Sequence, residues 1–119
     1  MKIKTIIALA ILYPFHVALA QMTYPYVAPE EKQILIKEKY AQVEIGSTTN
    51  QIVALLGKPD EIKDLYEPKM YKPSVIGFTY WYILQRKTNQ GSKSEKGEVL
   101  VRVSFGLEGN VTKVVKWGF

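Results

Sequence analysis

Hydrophobic and polar positions alternate most regularly in the C-terminal third of the chain. Phe78, Tyr80, Tyr82 and Leu84 interleave with Thr79, Trp81, Ile83 and Gln85. Both sets are rich in strand-forming side chains, so this strand carries apolar groups on both faces. Val99, Val101, Val103 and Phe105 alternate with Glu98, Leu100, Arg102 and Ser104, the period of a strand with one buried face. Leu107-Glu108-Gly109-Asn110 reads as a turn, and Val111 to Trp117 as a last strand. The Gly-, Ser- and Lys-rich run from Thr88 to Gly97 reads as the hairpin loop between the first two strands. A three-stranded antiparallel meander is expected.

Upstream the period changes to that of helices. Thr48 stands three residues before Gln51, the spacing of a capping box. Ile52, Leu55 and Leu56 then form the i, i+3, i+4 stripe of a helix that buries one face. Gly57 stands where a left-handed C-terminal cap is wanted, and Pro59 blocks continuation. The first of these signals and the last bracket a helix over 49–56. A second helix is expected at about 30–42, opened by Pro29 at its first position. Glu30 and Glu31 suit its N-terminal end, and Lys37 and Lys39 its C-terminal end. Its apolar stripe, Ile34, Leu35, Tyr40 and Ala41 with Ile36 to the side, fits helical spacing only fairly. Residues 21–29, with Pro25 and Pro29, read as an extended arm. Residues 58–76 mix charge, prolines and tyrosines and read as a long connection of the kind that is functional or loose. The expected fold class is therefore α+β, two N-terminal helices packed on a three-stranded antiparallel meander sheet.

The N-terminus changes the picture of where this domain works. Lys2 and Lys4 precede the apolar run from Ile6 to Leu12, Pro14 breaks it, and Ala18-Leu19-Ala20 follows. This is the three-part pattern of a secretory signal over residues 1–20, with cleavage expected between Ala20 and Gln21. Pro14 and His16 interrupt the run before it reaches the roughly 20 apolar residues of a membrane span. Cleavage leaves 99 residues, 21–119, an arm at 21–29 and one α+β domain at 30–119, enough for a single core. Lys2 and Lys4 depart with the signal, so fourteen basic residues face eleven acidic ones, a net +3. That charge is mixed along the chain and is not a nucleic-acid footprint. The expected location is the periplasm, with a peripheral position at the outer membrane as a variant of it.

The chain has no cysteine, and its one histidine, His16, lies in the signal segment. The expected exported domain thus has no disulfide, no acylation cysteine, no imidazole and no Cys/His metal cluster. Catalytic, cofactor and metal residues are accordingly assigned to none. Ser47, Thr48 and Thr49 are accounted for by helix capping. Asp60, Glu61, Asp64 and Glu67 lack the alternation and mid-loop glycine of a calcium loop, and read as a solvated acidic surface. Arg86, Lys87, Lys93 and Lys96 surround the hairpin tip. They suit weak contact with anionic lipid, or simply guard a solvated loop against edge pairing, which is the preferred reading. A strand carrying aromatics on alternate faces has one set in the core, and the other is either covered by the 58–76 loop or exposed for a partner. Tyr66 and Tyr71 in the long connection, with Tyr80, Trp81 and Tyr82 on the first strand, are the candidate partner-binding residues, because aromatic side chains anchor protein interfaces.

Gly46-x-Thr48, Ile52, Leu56-Gly57-x-Pro59, the aromatic run Tyr80-Trp81-Tyr82-Ile83, and Phe105 with Gly109 and Val111 resemble the SmpA/OmlA (BamE-like) lipoprotein domain family. The resemblance covers about residues 43–116. It implies two helices against a three-stranded antiparallel sheet, and a non-catalytic role as an envelope scaffold or accessory of outer-membrane protein assembly. The β-lactamase inhibitor proteins look like a doubled version of the unit, which implies the alternative of a periplasmic inhibitor or immunity protein. This chain departs from the family in lacking the lipid-bearing cysteine and in a longer stretch from Pro59 to Phe78. The matching residues are caps, turns and core, so no functional residue carries over.

Overall fold

The structure, a computed structural model, describes residues 22–69, 71–88 and 97–119. The expected signal segment and the loop-tip residues Lys93 and Lys96 lie outside them. The fold is α+β, with two helices and an antiparallel sheet of five strands. In chain order these are β1 (Tyr26–Val27), α1 (Glu30–Lys39), α2 (Thr49–Leu56), β2 (Glu61–Tyr66), β3 (Val75–Arg86), β4 (Val99–Gly106) and β5 (Val111–Trp117), with a 3₁₀ turn over Tyr40–Gln42 after α1. The expected meander is β3, β4 and β5.

The sheet is wider than three strands because both β1 and β2 join the free edge of β3. β2 pairs along the first half of β3, from Tyr66 opposite Val75 to Glu61 opposite Trp81. β1 takes over at its far end, with Val27 opposite Gln85 and Tyr26 opposite Arg86. Between the two lies a break in the ladder, and Asp60 fills it. Its Oδ2 accepts from the Ile83 N–H at 2.7 Å, while its own N–H donates to the Trp81 carbonyl at 2.8 Å. The same carboxylate receives the Lys32 ammonium of α1 at 2.6 and 2.7 Å. One side chain therefore ties β3, the start of β2 and the first helix together. Residues 58–76 are thus not a free connection. Residues 61–66 form an edge strand whose backbone ladder needs no apolar alternation, and whose charged, exposed Lys63 and Asp64 suit an edge.

Both helices end close to where their signals stand. Thr48 and Gln51 make the reciprocal capping box of α2. Pro29 is the N-cap of α1 instead of its first residue, its carbonyl accepting from Lys32 and Gln33. The stripe expected on α1 is corrected: Ile36 is fully buried while Ile34 is 47% exposed. Gly57 ends α2 at φ 88°, ψ −173°. This is not the left-handed helical cap but the extended positive-φ region that is essentially glycine's alone.

Ile36, Ile52 and Leu56 of the helices pack on Tyr82 and Leu84 of β3, Val101, Val103 and Phe105 of β4, and Val111 of β5. Apolar burial of this kind contributes roughly 25 cal/mol for each Å² removed from water. Phe78 stacks on Phe105 with centroids 4.9 Å apart, and Tyr80 tilts against the same ring at 4.6 Å. The Tyr82 hydroxyl satisfies itself by donating to the Gly57 carbonyl at 2.8 Å. Gly46 N–H donates to the Val111 carbonyl and Val111 N–H to the Ser47 carbonyl, which fixes the entry to α2 on the start of β5. All of this lies on one face of the sheet.

Candidate binding face

The opposite face is built from the other residue of each alternating pair. The strand registers arrange them in rows that run across the sheet. Lys63, Thr79, Ser104 and Lys113 form one row. Glu61, Trp81, Arg102 and Val115 form the next, and Ile83, Leu100 and Trp117 the one after. On the other side of the lysine row stand Leu65, Gly77 and Gly106. Gly77 is obligatory: a Cβ there would sit 1.9 Å from the Phe105 carbonyl oxygen. Two adjacent glycines leave a gap in the outer face, bounded by taller side chains.

The result is a recess of about 510 Å³. Thr79 and Ser104 form its floor, their hydroxyls 3.3 Å apart. Trp81 and Arg102 stand on one side, Leu65, Tyr66, Pro68 and Ile76 on the other, and Lys63 and Lys113 at the two ends of the row. Trp81 is the hub of the cations. Lys63 Nζ lies 4.3 Å from its ring centroid, the Arg102 guanidinium 5.0 Å and the Arg86 guanidinium 5.8 Å. Cations over an indole face are held by its quadrupole.

Arg86 belongs to the framework of this face and not to a solvated hairpin. Its side chain is 2% exposed. Its Nε donates to Glu98 at 2.8 Å and an η-nitrogen to Glu61 at 2.9 Å. Burial opposes the charge on Arg86, but Glu61 and Glu98 outweigh it and hold the guanidinium more firmly protonated than usual. The expected lipid contact therefore loses Arg86, and of its described members only Lys87 is exposed. The solvated acidic surface is likewise corrected. Asp60 and Glu61 are partners of Lys32 and Arg86. Glu67 remains at the surface in the β2–β3 turn, its carboxyl held below the usual range by the Lys69 ammonium and by Ser74.

The five aromatic candidates divide between three places. Trp81 and Tyr66 both line the recess. Tyr71 is 78% exposed in the β2–β3 turn, away from the recess lining. Tyr80 and Tyr82 belong to the helix-covered face, where Tyr82 is completely buried. Alternation over the regular middle of β3 carries this division, setting Tyr80 and Tyr82 on the face opposite Trp81. Lys63, Thr79, Arg102, Ser104 and Lys113 were not among the candidates. Arg102 and Ser104 were legible as an outward pair on β4; the cross-strand register that sets them beside Lys63 and Lys113 was not.

No family model, no curated protein and no solved structure matches this chain. The SmpA/OmlA resemblance rests on the short motifs quoted above. Among the described residues no helix is long and apolar enough to cross a membrane.

Proposed function

We propose that this protein is a non-catalytic binding module of the cell envelope, an accessory or scaffold of outer-membrane protein assembly of the BamE-like type. It holds a protein partner at the recess on the face of its sheet turned away from the helices. The observation that carries this reading is the asymmetry of β3. One side of the strand is sealed under two helices. The other carries Trp81 among cations at the edge of an open recess. Half-exposed aromatic and arginine side chains around a concavity are the usual anchors of an interface. The periplasmic location is supported by the signal-like pattern at residues 1–20. An inhibitor or immunity protein would use the same recess to take a projecting loop of its target, so the two roles differ in partner and not in surface.

The test is affinity purification of the tagged protein from its own envelope, followed by binding measurements with single variants. Trp81→Ala is expected to weaken the recovered complex by roughly tenfold or more, and Tyr66→Ala by less. Lys87→Ala, remote from the recess, is expected to change nothing. Undiminished affinity in Trp81→Ala would move the interface off this face. Barrel-assembly components among the recovered proteins identify the scaffold role; a toxin or hydrolase identifies the inhibitor.

A further inference from the structure

We propose that the recess takes one large uncharged side chain of the partner, an aromatic or aliphatic anchor seated beside Gly106 against Tyr66 and Ile76. This inference rests on the reading of the recess face as the partner-binding face, and it names the chemistry of what enters there.

The polar groups around the recess are answered from within the domain. Lys63 Nζ lies 3.5 Å from the Glu61 carboxylate and 4.3 Å from the Trp81 ring centroid. The Arg102 guanidinium lies 5.0 Å from the same centroid. Asp64 and Lys113, one charge of each sign, complete the ionic lining. At the floor the Thr79 and Ser104 hydroxyls bond each other at 3.3 Å, and the Thr112 hydroxyl donates to the Ser104 carbonyl. A charged guest would give up its water for groups that already have partners, and such burial is unfavourable. A neutral guest meets no such penalty.

What stands open to water on the far side is apolar. Tyr66 and Ile76 are 53% and 41% exposed, and Leu65 and Pro68 continue the same wall. Gly77 and Gly106 lie opposite each other on β3 and β4, and the two glycines have different reasons. Gly77 is required by the fold, because a Cβ there would run into the Phe105 carbonyl. Gly106 is not. Its φ lies outside the left-handed region, and a Cβ there would meet only Thr112 Cγ2, at an ordinary 3.7 Å. A glycine in a strand costs stability, and where the backbone does not need it, it marks a place that something else approaches closely. The missing side chain leaves the gap clear beside the apolar wall. An aromatic side chain offers roughly 150–250 Å² to such a wall, and the recess of about 510 Å³ has room for one.

Gly106→Val is the direct test, because it fills the gap from a position where the fold has space. The probe is a display library of random short peptides, selected on the folded protein. The expected selectants share one aromatic or large aliphatic residue, show no enrichment of acidic or basic ones, and bind almost equally at low and high salt. Changing that anchor to Ala, or the protein to Gly106→Val, should weaken binding by roughly tenfold or more. Gly106→Val should melt no lower than the parent, since it replaces a strand glycine. Ile76→Ala is the second variant: it removes part of the wall without crowding the gap, and it should weaken the same peptides. Selectants that are acidic or basic and lose affinity with salt would overturn the proposal. So would a library that yields no peptide released by Gly106→Val or by Ile76→Ala. Binding to phospholipid vesicles that Gly106→Val abolishes, with no peptide selected, would overturn it in favour of a lipid surface. The natural partner separates this failure from failure of the parent reading. If that complex needs Trp81 but is indifferent to Gly106→Val and Ile76→Ala, only the anchor site falls. If it is indifferent to all three positions, the face itself is wrong.

Discussion

The two faces of β3 are made from adjacent residues of one strand, yet they are held together by different physics. On the helix side Phe78, Tyr80, Tyr82 and Leu84 meet Val101, Val103, Phe105 and the apolar stripes of both helices. Cohesion there is non-directional and follows from burying area. On the outer side Trp81, Arg86, Arg102, Glu61 and Glu98 are arranged by ion pairs and by cations over a ring. Contacts of that kind depend on geometry and charge, and they stay effective only while each group keeps its partner. The first face makes the domain fold. The second leaves a recess that folding alone does not require.

That contrast is easiest to break with the largest effect. Phe105→Ala removes a completely buried ring that supports both Phe78 and Tyr80, and is expected to cost about 3–5 kcal/mol. Trp81→Ala, on the other side of the same sheet, is expected to cost no more than about 1 kcal/mol, as at ordinary half-exposed sites. Denaturant melts of the two variants check the pair, and equal losses would mean that the outer face also serves as core. The far end of the outer face is the expected exception. Arg86→Ala strands Glu98, whose side chain is 3% exposed, and should cost about 3 kcal/mol, toward the lower end for a broken buried pair. Lys87→Ala, one residue on and exposed, should cost almost nothing by the same melt.

The helix-covered face was readable from sequence because burial imposes a period. The alternation at Val99 to Phe105 and the capping box before Ile52 each carried their own signal, and both elements stand where those signals put them. What could not be read was pairing by backbone alone. β2 has the sequence Glu-Ile-Lys-Asp-Leu-Tyr, with no apolar alternation, because an edge strand is held by its ladder and not by its side chains. Asp60 and Arg86 escaped for a related reason. A charged residue in a polar stretch looks solvated until the fold brings Lys32, Glu61 and Glu98 to it. On the candidate site, Trp81 and Tyr66 were legible as aromatic excess. Tyr80 and Tyr82 were swept in with them because composition does not say which way a side chain faces.

A substitution at the end of α2 sharpens the account of the covered face without touching its apolar contacts. Gly57 has φ 88° with open space around a would-be Cβ, so the cost of a side chain there is conformational and not steric. Gly57→Val is expected to lose roughly 1–3 kcal/mol, more than Lys58→Ala beside it. Equal melting temperatures for the two would show that α2 does not depend on that backbone turn to place Leu56 on the sheet.

The smallest expected effect concerns pH and the Tyr82 hydroxyl of the covered face. Burial pushes the Tyr82 phenol well above its ordinary value of 10.0, with the nearby Tyr80 and Asp60 acting in the same direction. The folded state therefore favours the neutral phenol, which keeps its proton to donate to the Gly57 carbonyl. The unfolded chain loses that proton near the ordinary value. A group whose folded pKa is raised contributes its full stabilisation below the unfolded pKa and loses it as pH climbs toward the folded one. Stability should thus hold level from neutral pH to about 9 and then fall as pH rises past 10. Tyr82→Phe removes the titrating group while keeping most of the ring's packing, so it should lower stability modestly at neutral pH and flatten the alkaline decline. Urea melts of the two proteins at neutral pH and at alkaline pH separate these effects. If the decline is as steep in Tyr82→Phe as in the parent, the alkaline limit is set by other groups, and the phenol's burial has no part in it.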